Sequence, residues 1–353
     1  MNAQRVGFVL CSSAASPLPS TRIAVLNMFP YLRLAGMEPM IIFEPDEANE
    51  TPDLTGVAAR AIQARCSTVV LQKVRGLSAV ALAQQLAAIR MRTIYAVCDL
   101  VDVPMVDATD VTIAVTGYLK SLYPTHLQPR IHVVHDGIEK PEICKTSWGV
   151  GPSNVSHPLR AVLVTSASLD KLPDLNSPPA WMNIRIVGGY ARGLQKWREA
   201  RWTWTTKSSD GRREYLSFLL DRRISCVRWD PAGVYREMSL ADIGIIPIDT
   251  AEESPDAEDP MPWQVKSENR LTMKMSMGLP VVATPIPSYE PLIEHGINGF
   301  FARSARDWQD CLSALRDHER RQEMGMAARA SVIKKYSKDE QAAKLIRVLA
   351  RVQ

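Results

Sequence analysis

Four polar residues stand close together at the start of a predicted helix: Lys266, Ser267, Asn269 and Arg270. Ser267 is a good N-cap, and the helix is predicted to run over about residues 268–277. A helix start presents free N–H groups and the positive end of the helix dipole. Two cations and a neutral amide beside such a start would suit a diphosphate. The same residues would also suit a solvated helix start with ordinary surface charges.

The elements that must position this helix follow a regular pattern along the chain. Short apolar runs, such as residues 68–71, alternate with stretches of helical spacing, such as residues 23–34. This alternation is typical of an α/β protein whose parallel sheet is covered by helices on both faces. A stretch rich in Pro, Gly and Ser at residues 146–158 interrupts the pattern, which then restarts. We therefore predict two domains, residues 1–145 and 159–337, joined by a linker.

The composition favours a compact globular protein. The 353 residues are 46% hydrophobic and carry a formal net charge of only +4, so we expect no nucleic acid partner. Six scattered cysteines form no C-x-x-C pair, which favours free thiols in a reducing compartment. No apolar run approaches the roughly 18 residues of a membrane-spanning helix, and the N-terminal run is too short for an export signal. We expect a cytoplasmic protein.

The motifs of several other enzyme classes are absent. The chain contains no G-x-G-x-x-G, G-x-x-x-x-G-K-[ST], H-E-x-x-H or G-x-S-x-G motif. Their absence argues against nicotinamide, P-loop, zinc-protease and serine-hydrolase sites. His132 and His135 lie at a predicted strand end and would point to different faces, which argues against a shared metal ion. We therefore expect neither a cofactor nor a metal.

Four segments together resemble one known family. Residues 275–284, Met-Ser-Met-Gly-Leu-Pro-Val-Val-Ala-Thr, resemble the M-A-x-G-x-P-V-V-A-S donor segment of family-4-type glycosyltransferases of the GT-B fold. Residues 289–300 match the family's E-x-I-x-x-G-x-N-G-x-L, and residues 240–247 resemble its x-A-D-I-G-x-x-P. Residues 133–138 resemble the V-I-P-N-G-V that closes the first domain. The segments fall in the family's order and cover the C-terminal half best.

The resemblance implies a fold and an activity. The fold would have two Rossmann-like domains facing across a cleft, with a last helix at residues 338–353 returning to the first domain. The activity would be transfer of a sugar from a nucleotide-sugar co-substrate to a glycan or lipid-linked acceptor in cell-surface polysaccharide biosynthesis. Relatives in the family usually retain the anomeric configuration, so retention is expected here. Lys266, Arg270 and the helix start at residues 267–269 would stabilise the leaving phosphate, so no metal would be required.

The sequence departs from the usual pattern of the family at three places. Many members of the family carry two glutamates, eight positions apart, around the helix that starts near residue 268 here. In this chain those positions fall near Val265 and Met273, neither of which is acidic. The chain instead resembles a subgroup with Lys-Ser-x-Asn-[Arg/Lys] at the helix start. Only Lys171 stands near the expected basic pair, and residues 11–16 replace a glycine-rich loop. The alternatives are a non-catalytic nucleotide- or sugar-binding homologue and a nucleotide-sugar epimerase.

Roles for individual residues follow from these patterns. The catalytic candidates are Lys266, Arg270 and Asp99, of which Asp99 follows a strand where open α/β sheets bind ligands but could also be a helix cap. Arg22, near the start of the first helix, is the acceptor-side candidate, although Ser20-Thr21-Arg22 could simply cap that helix. The donor-binding candidates are Ser267, Asn269, Tyr289, Glu290, Lys171 and Arg228.

A weak peripheral membrane contact is also predicted. Six basic residues lie on or beside first-domain helices that would face outward: Arg60, Arg65, Lys73, Arg75, Arg90 and Arg92. Each basic group near an anionic leaflet contributes about 1 kcal/mol, so a few aligned groups could hold the protein there transiently. Neither neighbouring helix has the large apolar face of an inserting helix, so the contact should be sensitive to salt.

Overall fold

The structure is a computed structural model that describes residues 3–148, 157–166, 178–188, 209–250 and 260–350. The chain divides into two compact units. Unit 1 comprises Met1–Glu139, Ala257–Asn269 and Tyr336–Gln353. Unit 2 comprises Lys140–Asp256 and Arg270–Lys335. Residues 260–269, which include Lys266, Ser267 and Asn269, therefore belong to unit 1.

The sheet of unit 1 is parallel. Its order is β2-β1-β3-β4-β5-β6, and β1 pairs with both β2 and β3. Strand order reverses between β1 and β3, the kind of position where open α/β sheets bind ligands beyond the carboxyl ends of their strands. The strands are β1 Gln4–Val9, β2 Met37–Phe43, β3 Thr68–Gln72, β4 Arg92–Val97, β5 Val111–Ala114 and β6 Ile131–Val133.

The first helical stretch of unit 1 differs from its prediction. A continuous helix over residues 23–34 is wrong, because the chain forms a helix, a 3-10 turn at Leu26–Met28 and a second helix. Pro30 occupies the first turn of the second helix. Proline has no N–H to continue a helix from upstream, so a new one starts there. The helices are α1 Pro19–Ala24, α2 Phe29–Leu34, α3 Val57–Gln63, α4 Leu77–Ala88, α5 Val103–Ala108 and α6 Gly117–Ser121.

The sheet of unit 2 is also parallel. Its order is β12-β11-β10-β7-β8-β9, which is the 3-2-1-4-5-6 order of dinucleotide-binding folds when counted from β7. Strand order reverses between β7 and β10, which pair directly. The strands are β7 Leu159–Val164, β8 Met182–Gly188, β9 Ile224–Arg228, β10 Ile243–Ile246, β11 Val281–Ala283 and β12 Phe300–Phe301.

The helices of unit 2 include the predicted donor helix. They are α7 Ser209–Leu220, α8 Gly233–Ser239, α9 Asn269–Ser276, α10 Ala305–Ala314 and α11 His318–Val332, and only the first residue of α9 belongs to unit 1. Helix α9 buries Leu271 and Met275 and is followed by Gly278, whose φ of 78° suits the end of a helix. The helix begins at Asn269, slightly later than predicted, so Ser267 lies outside it.

The last helix, α12 Lys338–Leu349, belongs to unit 1. Its apolar residues Leu345 and Leu349 are buried in one core with Phe8 and Leu32. The Ser337 side chain caps it by accepting from the N–H of Glu340. In the described residues, no helix is long and apolar enough to cross a membrane.

Candidate functional site

Arg270 connects the start of α9 to the end of strand β7. Its Nη2 atom donates to Ser166 Oγ at 2.7 Å, and Ser166 lies just beyond β7, separated from its last residue by Thr165. The guanidinium therefore lies at the carboxyl edge of the unit 2 sheet, beside the strand where the order reverses. Ligands of open α/β sheets bind at such an edge. Arg270 is half-buried, so part of its charge stays accessible.

Lys274 follows Arg270 by one helical turn and is fully buried. Its Nζ donates to the Arg270 carbonyl at 3.4 Å. Burial, and to a lesser degree the positive charge of Arg270, lower the pKa of this amine to about 7. The sequence patterns gave no signal for this residue, because lysine is rarely buried and only the packing against β10 reveals it.

The remaining unit 2 candidates occupy different environments. Arg228 ends strand β9 and is exposed at the same carboxyl edge. Tyr289 is buried, so its side chain lies inside unit 2 and presents almost no surface to a ligand. Glu290 next to it is exposed in a turn, where its N–H donates to Ile286 O. Lys171 lies outside the described residues.

The donor candidates that precede Arg270 in the sequence belong to unit 1. Lys266, Ser267 and Asn269 are all half-buried. The hydroxyl of Ser267 is hydrogen-bonded to the carboxyl group of Asp136, which follows strand β6. This bond connects residues 266–269 to the carboxyl edge of the unit 1 sheet.

A buried acid–histidine cluster surrounds that bond. His135 Nδ1 lies 2.6 Å from Glu268 Oε1, and the rings of His135 and Tyr336 are 4.8 Å apart. Burial and the neighbouring carboxyl group of Glu268 raise the pKa of Asp136 to about 7, although Ser267 counteracts this in part. Burial and Glu268 also raise the pKa of Tyr336. Sequence reasoning missed this cluster because its members come from distant parts of the chain.

Asp99 lies at the carboxyl edge of unit 1 and is held by Lys73. The Lys73 Nζ is 2.8 Å from both Asp99 Oδ1 and Glu50 Oε1. Burial alone would lower the pKa of Lys73, but Cys98, Asp99 and Glu50 together raise it. Lys73 adopts a φ of 56°, which is uncommon for a residue with a side chain. The Asp99 side chain remains half exposed, and the cap of the next helix is Asp102 instead.

Arg22 forms an ion pair within unit 1. Its guanidinium forms an ion pair with Glu139, which also accepts from Asn27 Nδ2 at 2.9 Å. The preceding Thr21 is buried, and its hydroxyl lies 2.7 Å from Ser12 Oγ. The capping alternative for this stretch is wrong, because α1 begins at Pro19 and has no side-chain cap. In the described part of the chain, no three His, Cys, Asp or Glu residues are placed to bind a metal ion.

One family model matches part of the chain. Residues 254–347 match a family model described as glycosyl transferase-like. This match includes the start of α9 and the whole segment up to α12. No curated protein sequence matches the chain.

The same fold occurs in solved structures. A glycosyltransferase from Rickettsia africae is 14% identical with a TM-score of 0.69, over 99% of this chain and 100% of that chain. HepE from Anabaena, in complex with UDP and glucose, is 14% identical with a TM-score of 0.67, over 98% and 99%. Sucrose-phosphate synthase from Thermosynechococcus elongatus is 10% identical with a TM-score of 0.64, over 98% of both chains.

The predicted fold class is thereby confirmed. Two parallel six-stranded sheets, each with helices, are shared with these structures over almost the whole chain. The chain therefore has the GT-B fold of these glycosyltransferases, and its residues 254–347 match a glycosyl transferase-like family model.

Proposed function

We propose that the protein transfers a sugar from a nucleoside-diphosphate donor, whose diphosphate binds at the start of α9 against Arg270. The observation that carries this proposal is the 2.7 Å bond from Arg270 to Ser166. It holds a cation at the carboxyl edge of the unit 2 sheet, where the strand order reverses. A helix start adds free N–H groups and a favourable dipole for an anion at that place.

A uridine nucleotide is the first donor to test. The Anabaena HepE structures contain UDP, UDP with glucose, and UDP-glucose. Those ligands belong to a protein that is only 14% identical, so they guide the choice of probe. The other common sugar nucleotides should be tested as donors in the same way.

The proposed reaction needs positive charge on the leaving group. As the bond from the anomeric carbon to the diphosphate oxygen breaks, its electron pair moves to the diphosphate. Arg270 and Lys266 would stabilise this growing negative charge, together with the N–H groups at Ser267 and Asn269. The acceptor hydroxyl bonds to the anomeric carbon, and its proton leaves with the diphosphate. Retention of configuration and independence of metal are part of this proposal.

The acceptor is proposed to bind at the carboxyl edge of unit 1. The Asp99 carboxylate is held by Lys73 but half exposed, so its free lone pairs can accept from a hydroxyl group. A glycan or a lipid-linked sugar offers such hydroxyl groups. We propose a role in cell-surface polysaccharide synthesis on the cytoplasmic side of the membrane, where nucleotide sugars are made in bacteria.

The proposed membrane contact involves fewer residues than the sequence suggested. Lys73 is buried between Glu50 and Asp99, so its inclusion in an outward-facing basic surface is wrong. Arg92 is half-buried and donates to Leu349 O and Ala350 O. The exposed members are Arg60, Arg65, Arg75 and Arg90.

A non-catalytic binding homologue is the second candidate function. It is favoured by the absence of acids at the positions of the family's glutamate pair. Val265 is buried in the core of unit 1, and Met273 carries no charge. Such a protein would bind the nucleotide without releasing the sugar.

A donor-hydrolysis screen separates the two candidates. The full chain would be incubated with UDP-, GDP-, ADP- and dTDP-sugars, and both sugar release and nucleotide binding would be measured. Release of sugar from one donor supports the transferase. Binding without release supports the binding homologue, and the absence of both would contradict the proposed donor site.

A further inference from the structure

Lys274 is a buried amine without a carboxylate partner among the described residues. Its side chain is fully buried in unit 2. In the part of the chain that the structure describes, its acceptor is the Arg270 carbonyl oxygen at 3.4 Å, a long contact that serves one of three N–H groups. An ammonium ion in such surroundings is costly unless it is paired, so the packing favours the uncharged amine.

Among the described residues, the elements packed against Lys274 supply no acidic group to balance a charge. Strand β10, Ile243–Ile246, lies against its side chain and contains no titratable group, and neither does the paired strand β11, Val281–Ala283. Gly244 leaves room for the methylene chain, since a Cβ atom there would lie 2.8 Å from Lys274 Cδ. On α9 itself, the charged neighbour is Arg270, whose positive charge opposes protonation.

The amine lies beside the first turn of α9. Side chains on a helix lean towards its N-terminus, and the contact with Arg270 O shows that the Lys274 amine does so. The same turn presents the Arg270 guanidinium to the end of β7. An anion that binds at this turn would therefore be close to the amine as well. Nearby negative charge favours the protonated form of an amine.

We infer that Lys274 is a concealed second cation of the donor site, uncharged before the donor binds and protonated from solvent when a nucleoside diphosphate occupies the start of α9. The inference rests on the proposed function, because it needs the diphosphate at that helix start. Lys274 is then a binding residue whose charge appears only with the ligand. The protein avoids a permanent unpaired charge in its core, yet supplies two cations to the leaving diphosphate.

Proton uptake on binding is the direct consequence. Burial and Arg270 keep the pKa of the amine at about 7 before binding. Above that pH, each bound diphosphate must bring a proton from solvent. The affinity should therefore fall with rising pH, by at most about tenfold per pH unit for one proton.

Calorimetry on the full chain tests this inference. UDP, GDP, ADP and dTDP are titrated at about pH 8 in HEPES and in Tris, whose different ionisation enthalpies report the protons taken up. We expect the tightest-binding nucleotide to bring an uptake approaching one proton. Lys274→Met keeps the aliphatic stem and should lose this uptake and bind more weakly, by about tenfold. Lys334→Met, at an exposed lysine of unit 2, should behave as the wild type.

A second measurement covers the case that Lys274→Met does not fold. With carbon-13 at the lysine ε positions of the wild type, one resonance should titrate near pH 7 and move to a higher pKa when the nucleotide is added. Binding without proton uptake, or equal uptake in Lys274→Met, would overturn the role of Lys274 and leave the proposed function intact. Binding of none of the four nucleotides would overturn both.

Discussion

The Nδ1 atom of His135 lies 2.6 Å from Oε1 of Glu268, and this contact connects two distant parts of the chain within unit 1. Glu268 precedes α9 and is buried. The contact holds the segment with Lys266 and Ser267 against the end of strand β6. Residues 266–269 are therefore held in place by a cluster of titratable groups. The stability of the folded protein should consequently depend on pH.

The first prediction concerns Asp136 in this cluster. Its pKa of about 7 in the folded protein lies above the ordinary 3.8, so the folded state binds more protons between these values. This contribution to stability is present at low pH and is lost as the pH rises through about 7, by at most about 4 kcal/mol. Asp136→Asn should flatten the fall in the urea midpoint between about pH 5 and pH 8.

Asp107→Asn is the matched control for that variant. Asp107 lies on α5 of unit 1 and is mostly exposed. Its replacement should leave the pH dependence of the wild type unchanged. An equally steep fall in Asp136→Asn and in the wild type would show that Asp136 does not titrate in this range.

The second prediction concerns the close approach of α11 to the turn after α9. A Cβ atom on Gly325 would lie 2.2 Å from Gly278 O and 2.4 Å from Trp148 Nε1. Gly325→Ala should therefore destabilise unit 2 by about 1–3 kcal/mol through overpacking. Thermal unfolding should show a lower midpoint, whereas Gly117→Ala, with open space around the added atom, should not. Equal midpoints for both variants would contradict the packing at Gly325.

The third prediction concerns membrane association. Co-sedimentation with vesicles that contain anionic lipid should decrease between low and physiological salt, because exposed charges are screened. Replacing Arg60, Arg65, Arg75 and Arg90 by Gln should remove the binding that low salt permits. Binding that survives high salt would indicate an apolar contact, and no binding at any salt would favour a soluble acceptor.

The fourth prediction concerns Lys266. If its charge stabilises the leaving diphosphate, Lys266→Ala should lower kcat by about 10²–10³-fold, as when one preorganised donor is lost. Lys266→Arg should recover part of this loss because it keeps the charge. Unchanged turnover in Lys266→Ala would remove the residue from the mechanism.

Local patterns predicted several elements of the fold correctly. The apolar run at residues 68–71 is observed as β3 Thr68–Gln72, and Gly278 follows α9 with positive φ as expected. The stretch at residues 23–34 was misread because helical spacing hid the effect of Pro30. A periodic pattern reports which face is buried, but a proline without an N–H decides whether the helix continues.

The candidate site was predictable only in part. The start of α9 could be recognised from residues that are neighbours in the sequence. The Arg270 guanidinium does contact Ser166, just beyond the end of β7. The pairs Lys73–Asp99 and His135–Glu268 join residues that the fold brings together, so no local spacing reveals them. The burial of Lys274 and Tyr289 likewise depends on packing between elements.

The most direct test of the central claim is the donor affinity of Arg270→Ala. Calorimetry with the tightest-binding of UDP, GDP, ADP and dTDP would compare it with the wild type and with Arg306→Ala, which removes an exposed arginine of α10. The account predicts about 10–100-fold weaker binding for Arg270→Ala, as expected for loss of a charge-assisted contact, and no change for Arg306→Ala. Equal affinity in all three proteins would contradict a diphosphate site at the start of α9.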